Sequence, residues 1–251
     1  TPAQALSDLG QQLAVATGAE HNPLGAFLYL APPDQSFFAV LGAHGVSAAN
    51  LLFGGGALSA GQHGDVVQRD GSVVRITAPM ARPLTPAETA LEPRLLLGLP
   101  EARGTVRETA ALFDELEVLA GDRSVDVVLA RVDATDTAAH LTFQELLEPG
   151  QDDAQRLLYG IYAYCDRRLG ALARLLDDDD VLVVFSDHGT ATAFEHDPRA
   201  MFIASGDGIA AGDAGTVDMS EIAGAFAALA GVDVGWPHGS LAERLRSAQP
   251  E

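Results

Sequence analysis

Lysine is absent from this 251-residue chain, cysteine occurs once, and no apolar run approaches the roughly 18 to 20 residues that a membrane span requires. Each gap excludes something. A lone Cys165 can form neither an internal disulfide nor a thiolate metal cluster, and it leaves the redox compartment open. All 15 basic residues are arginine against 35 acids, a formal charge of −20. That balance argues against unaided binding to duplex nucleic acid or to an anionic membrane, because phosphate binding needs clustered cations. Acid-rich and lysine-free, the composition reads as coding bias ahead of salt adaptation. No charged segment leads into an apolar signal-peptide core, and the chain opens on Thr1. A soluble protein is expected, with a segment removed upstream left open.

What is present is a chain with 47% hydrophobic residues, enough to bury a sizeable core, and one α/β domain is the default reading. Leu6, Leu9 and Leu13 share a helical face that ends at Gly18, ahead of an apolar strand over 25–31. Residues 38–105 read as a cap or insertion region, with a polar hairpin around Asp70-Gly71 and a proline-rich patch at ARPLTPAE. Leu112, Leu116 and Leu119 predict a helix over 106–120 that Gly121 stops. Beyond it a strand is expected over 125–133. A helix follows over 155–176, with Leu158, Ile161, Cys165, Leu169, Leu172 and Leu176 down one face. Strands over 181–185 and 200–205 come next, then a helix over 220–231 capped by Asp218. The alternation predicts βαβ crossovers and a mainly parallel sheet, and VLVVF at 181–185 is apolar enough to be covered on both faces. In such sheets function gathers outside the carboxyl ends of the strands.

Three segments place acids and imidazoles beside predicted strands. Asp136 and His140, four apart, share one helical face after the 125–133 strand. Asp187 and His188 follow VLVVFS directly, and Gly189 then lets the chain turn away without crowding an ion. His196 precedes the strand over 200–205. Hard oxygen and imidazole nitrogen from several strand ends suit zinc, manganese or iron, and two such ions stabilise both attacking and leaving oxygens in phosphoryl displacement. The chemistry indicated is hydrolysis of a phosphate ester.

In order and spacing, D-x-x-x-H at 136–140, SDHG at 186–189, EHDPRAMFIASG at 195–206 and the helix over 221–231 together resemble the C-terminal half of the alkaline phosphatase superfamily. The likeness is in particular to its type I phosphodiesterase and nucleotide pyrophosphatase branch, over about 125–232. The resemblance implies a three-layer α/β/α sandwich and a two-metal hydrolase of small phosphate esters. Zinc is the first choice of metal and manganese the second. It implies Asp136, His140 and His196 on one ion, and Asp187 and His188 on the other. It also implies an Asp-Gly at the end of a first strand and a Thr or Ser nucleophile opening a later helix, and no segment before residue 120 shows both. The stand-ins are Asp34 as a metal ligand and Thr85, ahead of Pro86 at a helix N1 position, as the nucleophile. The expectation is a single domain over 1–251 in which the strand–nucleophile segment is missing or diverged.

Blander readings compete. An isolated Asp-His pair is ordinarily a helix cap beside a solvated imidazole, and only the register of the three segments reverses that. Glu195 and Asp197 would suit His196 to any charged loop. His21, His44, His63 and His238 lie outside the matching segments and read as structural or loop residues. The run FGGGALSAG lacks the third glycine of a dinucleotide fingerprint, and Asp177 to Asp180 read as a solvated acidic loop. Cys165 reads as packing. The rival function is a noncatalytic relative, binding metal, ligand or partner, or a fragment of a larger enzyme.

Overall fold

The structure, a computed structural model, describes residues 37–51, 64–76, 82–95, 105–123, 125–146, 152–192, 195–236 and 240–247. The expected helix before Gly18, the strand over 25–31, Asp34, His21, His63, His238 and the glycine-rich run over 53–61 lie outside these residues. In chain order the described elements are α1 (Phe37–Ala43), β1 (Ala48–Leu51), β2 (Gly64–Val67), β3 (Val73–Ile76), α2 (Pro86–Leu95), α3 (Thr105–Gly121), β4 (Val127–Ala130) and α4 (Ala134–Leu146). There follow α5 (Asp152–Ala173), β5 (Val181–Phe185), β6 (Gly189–Thr190), β7 (His196–Asp197), β8 (Phe202–Gly206), α6 (Met219–Leu229) and α7 (Leu241–Ser247). Helices and strands mix throughout, an α/β chain. No helix among the described residues is long and apolar enough to cross a membrane.

Two compact units divide the chain. The first takes in residues 1–78, 122–131 and 214–244, with a sheet in the order β3-β2-β1-β4. Its β2–β3 hairpin turns where the sequence places the polar Asp70-Gly71 pair. Gly71 holds φ +81, a left-handed value that costs glycine nothing, and Ser72 N donates to Asp70 Oδ1 at 2.9 Å. Asp126, just ahead of β4, accepts from Ser47 N and Ser47 Oγ at 2.8 Å each and from Arg69 Nε at 3.0 Å. One carboxylate thereby ties the approaches to β1 and β4 together, and the Arg69 hydrogen bond, ahead of the smaller Ser47 contributions, lowers its pKa. Phe37 and Phe38 meet edge to face at 5.4 Å and bury with Leu41, Ala48, Ala227 and Val232 against Trp236. Each such large side chain contributes about 1.5–3 kcal/mol when fully buried. The Asp218 cap expected of α6 is present, and the structure extends it to a capping box with Glu221: Ser220 N donates to Asp218 Oδ1 at 2.8 Å, and Asp218 N to Glu221 Oε2 at 3.4 Å.

The second unit takes in residues 79–121, 132–213 and 245–251. Helix α3 buries Leu112, Leu116 and Leu119 as their spacing predicts, together with Val106 and Phe113. Helix α5 buries Leu157, Ile161, Tyr164, Cys165 and Leu172; Leu176 falls past its end. A polar spine joins α2, α3 and α5. Buried Glu88 accepts from both Arg82 Nη atoms at 2.7 Å, from Thr85 N at 2.7 Å and from Tyr164 OH at 3.0 Å. Arg82 and Arg168 both reach Asp114, each at 2.7 Å. The Arg82 guanidinium holds the Glu88 carboxyl well below the usual carboxylate range. Burial is the main cause that pushes the Tyr164 phenol up to about 12.

The described strands depart from the mainly parallel pattern that the sequence predicts. Only β1 and β4 pair in parallel; β1–β2, β2–β3, β5–β8 and β6–β7 are antiparallel. A parallel return needs a crossover of a dozen residues or more, typically a helix. Residues 186–201 instead spend their length on the short β6–β7 pair, so β8 comes back against β5 with Phe185 opposite Phe202. All five residues of VLVVF are only half-buried, so the expected cover on both faces is not found among the described residues.

Candidate metal centre

Asp133 carries the backbone into α4: its carbonyl accepts from Thr137 N at 2.9 Å. Asp136 then falls in the first turn, where the helix dipole favours an anion, and His140 stands one turn on along the same face. The two side chains meet, with Asp136 Oδ1 at 3.2 Å from His140 Nε2. Nearby, burial raises the pKa of Glu108, and the like charge of Asp133 raises it further.

The other imidazoles come from the excursion between β5 and β8. Thr190 pairs with His196 and Gly189 with Asp197. Ala191 N and Thr192 N close the turn onto Glu195 O at 3.0 and 3.1 Å. Ser186 fastens the far side, donating its amide to Met201 O and accepting Met201 N at Oγ, both at 2.9 Å. The pairing lays the His188 ring on the His196 ring, centroids 3.5 Å apart and planes 6° from parallel. His196 Nε2 also lies 3.1 Å from His140 Nε2.

Four of the side chains singled out in the sequence thus converge. Ligand atoms of Asp136, His188 and His196 all fall within 4.8 Å of one another, and His140 touches two of these three, Asp136 and His196. This triad draws on both ligand sets that the resemblance implies. Asp187 stands beside it, Oδ1 at 3.6 Å from His188 Nε2. The side chains of Asp136 and His140 keep 38% and 28% exposure, so the cluster is open enough to admit a ligand.

The residues fit a divalent cation. Asp136 Oδ1 is buried and makes no hydrogen bond; its ion-pair contact is the 3.2 Å approach of His140 Nε2, which leaves acceptor capacity that a cation would use. A carbonyl can only accept, so the 3.1 Å contact of His188 Nδ1 with Gly189 O is a hydrogen bond in the tautomer that carries its proton on Nδ1, the tautomer that offers Nε2 as a ligand. Carboxylate oxygen with imidazole nitrogen suits zinc or manganese. Beside the cluster, Arg199 donates to both Asp197 carboxylate oxygens and holds that acid down to about 2.

Thr85 sits ahead of α2, with Pro86 at N1 as the sequence predicts. Its hydroxyl caps the helix, accepting Glu88 N at 3.3 Å, while Thr85 N donates to Glu88 Oε2. Thr-x-x-Glu was a legible capping box, and it goes unread in the sequence analysis. Also missed are the Arg82–Glu88–Tyr164 spine, which no local pattern reports, and the role of Ser186. His44, exposed, bonds through Nδ1 to Val40 O at 2.9 Å, in keeping with a loop histidine.

Residues 26–207 match the family model of type I phosphodiesterase / nucleotide pyrophosphatase, a stretch that contains every candidate site residue named above. No curated protein and no solved structure matches the chain.

Proposed function

The chain belongs to the type I phosphodiesterase/nucleotide pyrophosphatase family, part of the alkaline phosphatase superfamily, and from that premise we propose that it is a metal-dependent hydrolase of small phosphate diesters. The family carries hydrolysis of this type. For this chain the observation with most weight is the convergence of Asp136, His140, His188 and His196, with the buried Asp136 Oδ1 making no hydrogen bond and only the 3.2 Å ion-pair contact with His140 Nε2. By our reading Asp136, His140 and His196 hold one divalent ion, and Asp187 and His188 hold a second. Zinc is the first choice and manganese the second.

Bound there, such ions supply Lewis acidity that neutralises phosphoryl charge and lowers the pKa of a hydroxyl or water. The protein's own part is positional. Gly189 O accepts from His188 Nδ1 in the tautomer that offers Nε2, α4 sets Asp136 and His140 one turn apart, and the β6–β7 pair brings His196 to both. Thr85 is the proposed nucleophile: its oxygen attacks phosphorus, the ester alcohol leaves with a proton, and water then frees the phosphorylated threonine. We also propose that these elements belong to one three-layer α/β/α domain over 1–251, with 38–105 as its cap or insertion.

A second reading has its own support. Pro86 has no amide, Glu88 N is taken by the Thr85 hydroxyl, and Thr85 N is taken by Glu88, so this helix start already carries an anion. A chain that holds metal without turnover would look like this. Metal analysis of the purified chain, with hydrolysis of bis-p-nitrophenyl phosphate and p-nitrophenyl phosphate under added Zn²⁺ or Mn²⁺, separates the two. Bound metal with diester hydrolysis supports the first reading, and bound metal without turnover of either ester supports the second.

A further inference from the structure

Gly189 is not among the glycines of positive φ, so a left-handed backbone does not account for a glycine here. The reason lies across the strand pair. A Cβ built on Gly189 would stand 2.6 Å from the Arg199 carbonyl oxygen and 3.3 Å from Asp197 Cβ. Cross-strand Cβ atoms ordinarily lie about 4.5–5.5 Å apart, so β6 and β7 approach more closely here than two side chains allow. The obstacle is backbone, which no rotamer change can move aside. The strands joined at this point carry the two stacked histidines, His188 immediately before β6 and His196 at the start of β7.

We propose that Gly189 is a positioning residue, and that the close β6–β7 approach it permits assembles His188 against His196 before any metal binds. This rests on the metal reading above and adds where the order comes from. The hairpin supplies it: rungs at Gly189–Asp197 and Thr190–His196, the turn bonds onto Glu195 O, and the Arg199–Asp197 fork that fixes the chain just past β7. A methyl at 189 must push the Arg199 backbone away, and His196 moves with it relative to His188.

The test uses the full chain in two parts. In metal-free wild type, ring-to-ring nuclear Overhauser contacts between His188 and His196 are expected without any ion; their absence, or their appearance only on adding Zn²⁺, overturns the proposal. In Co²⁺ titrations, Gly189→Ala is expected to bind about 10- to 100-fold more weakly than wild type, with an altered d–d spectrum, the scale on which residues supporting metal ligands act. Gly160→Ala, on α5, is the control: its methyl would meet the end of one side chain, Leu91 Cδ2 of α2 at 2.9 Å, and no backbone outside its own helix, so its Co²⁺ affinity and spectrum should match wild type even if its Tm moves. A folded Gly189→Ala with wild-type affinity and spectrum overturns the proposal. If that variant does not fold, the contacts in wild type decide. Wild type that binds neither Co²⁺ nor Zn²⁺ defeats the metal reading, while the metal-free contacts still report on the hairpin.

Discussion

His188 lies with Nδ1 3.1 Å from Gly189 O and offers one ring nitrogen to the cluster with Asp136 and His196. Asp136 brings the charge that three neutral imidazoles lack. Asp136→Asn keeps shape and removes that charge, so Zn²⁺ affinity should fall by roughly 100-fold or more, above the 10- to 100-fold typical of supporting residues; isothermal titration reads the change. Thr85 separates two roles by substitution. Thr85→Ala should lower stability by about 1 kcal/mol through the lost cap and abolish diester turnover, whereas Thr85→Ser, which keeps hydroxyl and cap, should retain both. Turnover surviving in the alanine variant would leave Thr85 a cap alone. Cys165 behaves as packing: 7% exposed, its thiol is pushed up to about 11 by burial. A disulfide reagent should leave it untouched in the native chain and modify it once the chain is unfolded.

Among the elements, α2, α3 and α5 depend on Glu88, which is 3% exposed and bonded from four directions. Glu88→Ala leaves Arg82 and Tyr164 without their shared acceptor and should cost about 3 kcal/mol or more, as read by chemical denaturation. The pH dependence follows in sign. A carboxyl whose folded pKa is depressed adds stability that is present above its unfolded value, near 4.3, and is lost as pH falls below that. Glu88→Gln should therefore flatten the acid limb of the stability curve; an unchanged limb would contradict the role. Helices α3, α5 and α6 were legible because burial and caps write local periodicity, as Leu112, Leu116 and Leu119 show. Strand pairing was not: VLVVF announces a strand but not its neighbour, and β5 pairs antiparallel to β8 because of what residues 186–201 do between them. The helix over 37–43 and the strand over 48–51 escaped because neither is long enough to establish a period.

For the whole molecule, the formal charge of −20 should make folding sensitive to ionic strength and to divalent cations in particular. A cation held only in the native state raises stability by about 2.7 kcal/mol at a hundredfold excess over its Kd, so chelation by EDTA should lower Tm and Zn²⁺ should restore it in a saturable way. Mg²⁺ at equal ionic strength supplies the control for general screening. The members of the candidate cluster were legible as residues, since Asp136, His140, Asp187, His188 and His196 each follow or precede a predicted strand. The ring stacking and the tight strand approach at Gly189 were not, because they arise from the β6–β7 pairing across 189–197 and not from any one motif. The most direct measurement of the account is the metal content and diester hydrolysis of the purified chain beside its Asp136→Ala variant. The account predicts stoichiometric Zn²⁺ or Mn²⁺ and metal-dependent release of p-nitrophenol in wild type, with both lost in the variant. Wild type without bound metal, inert toward the diester and indistinguishable from the variant, would contradict it.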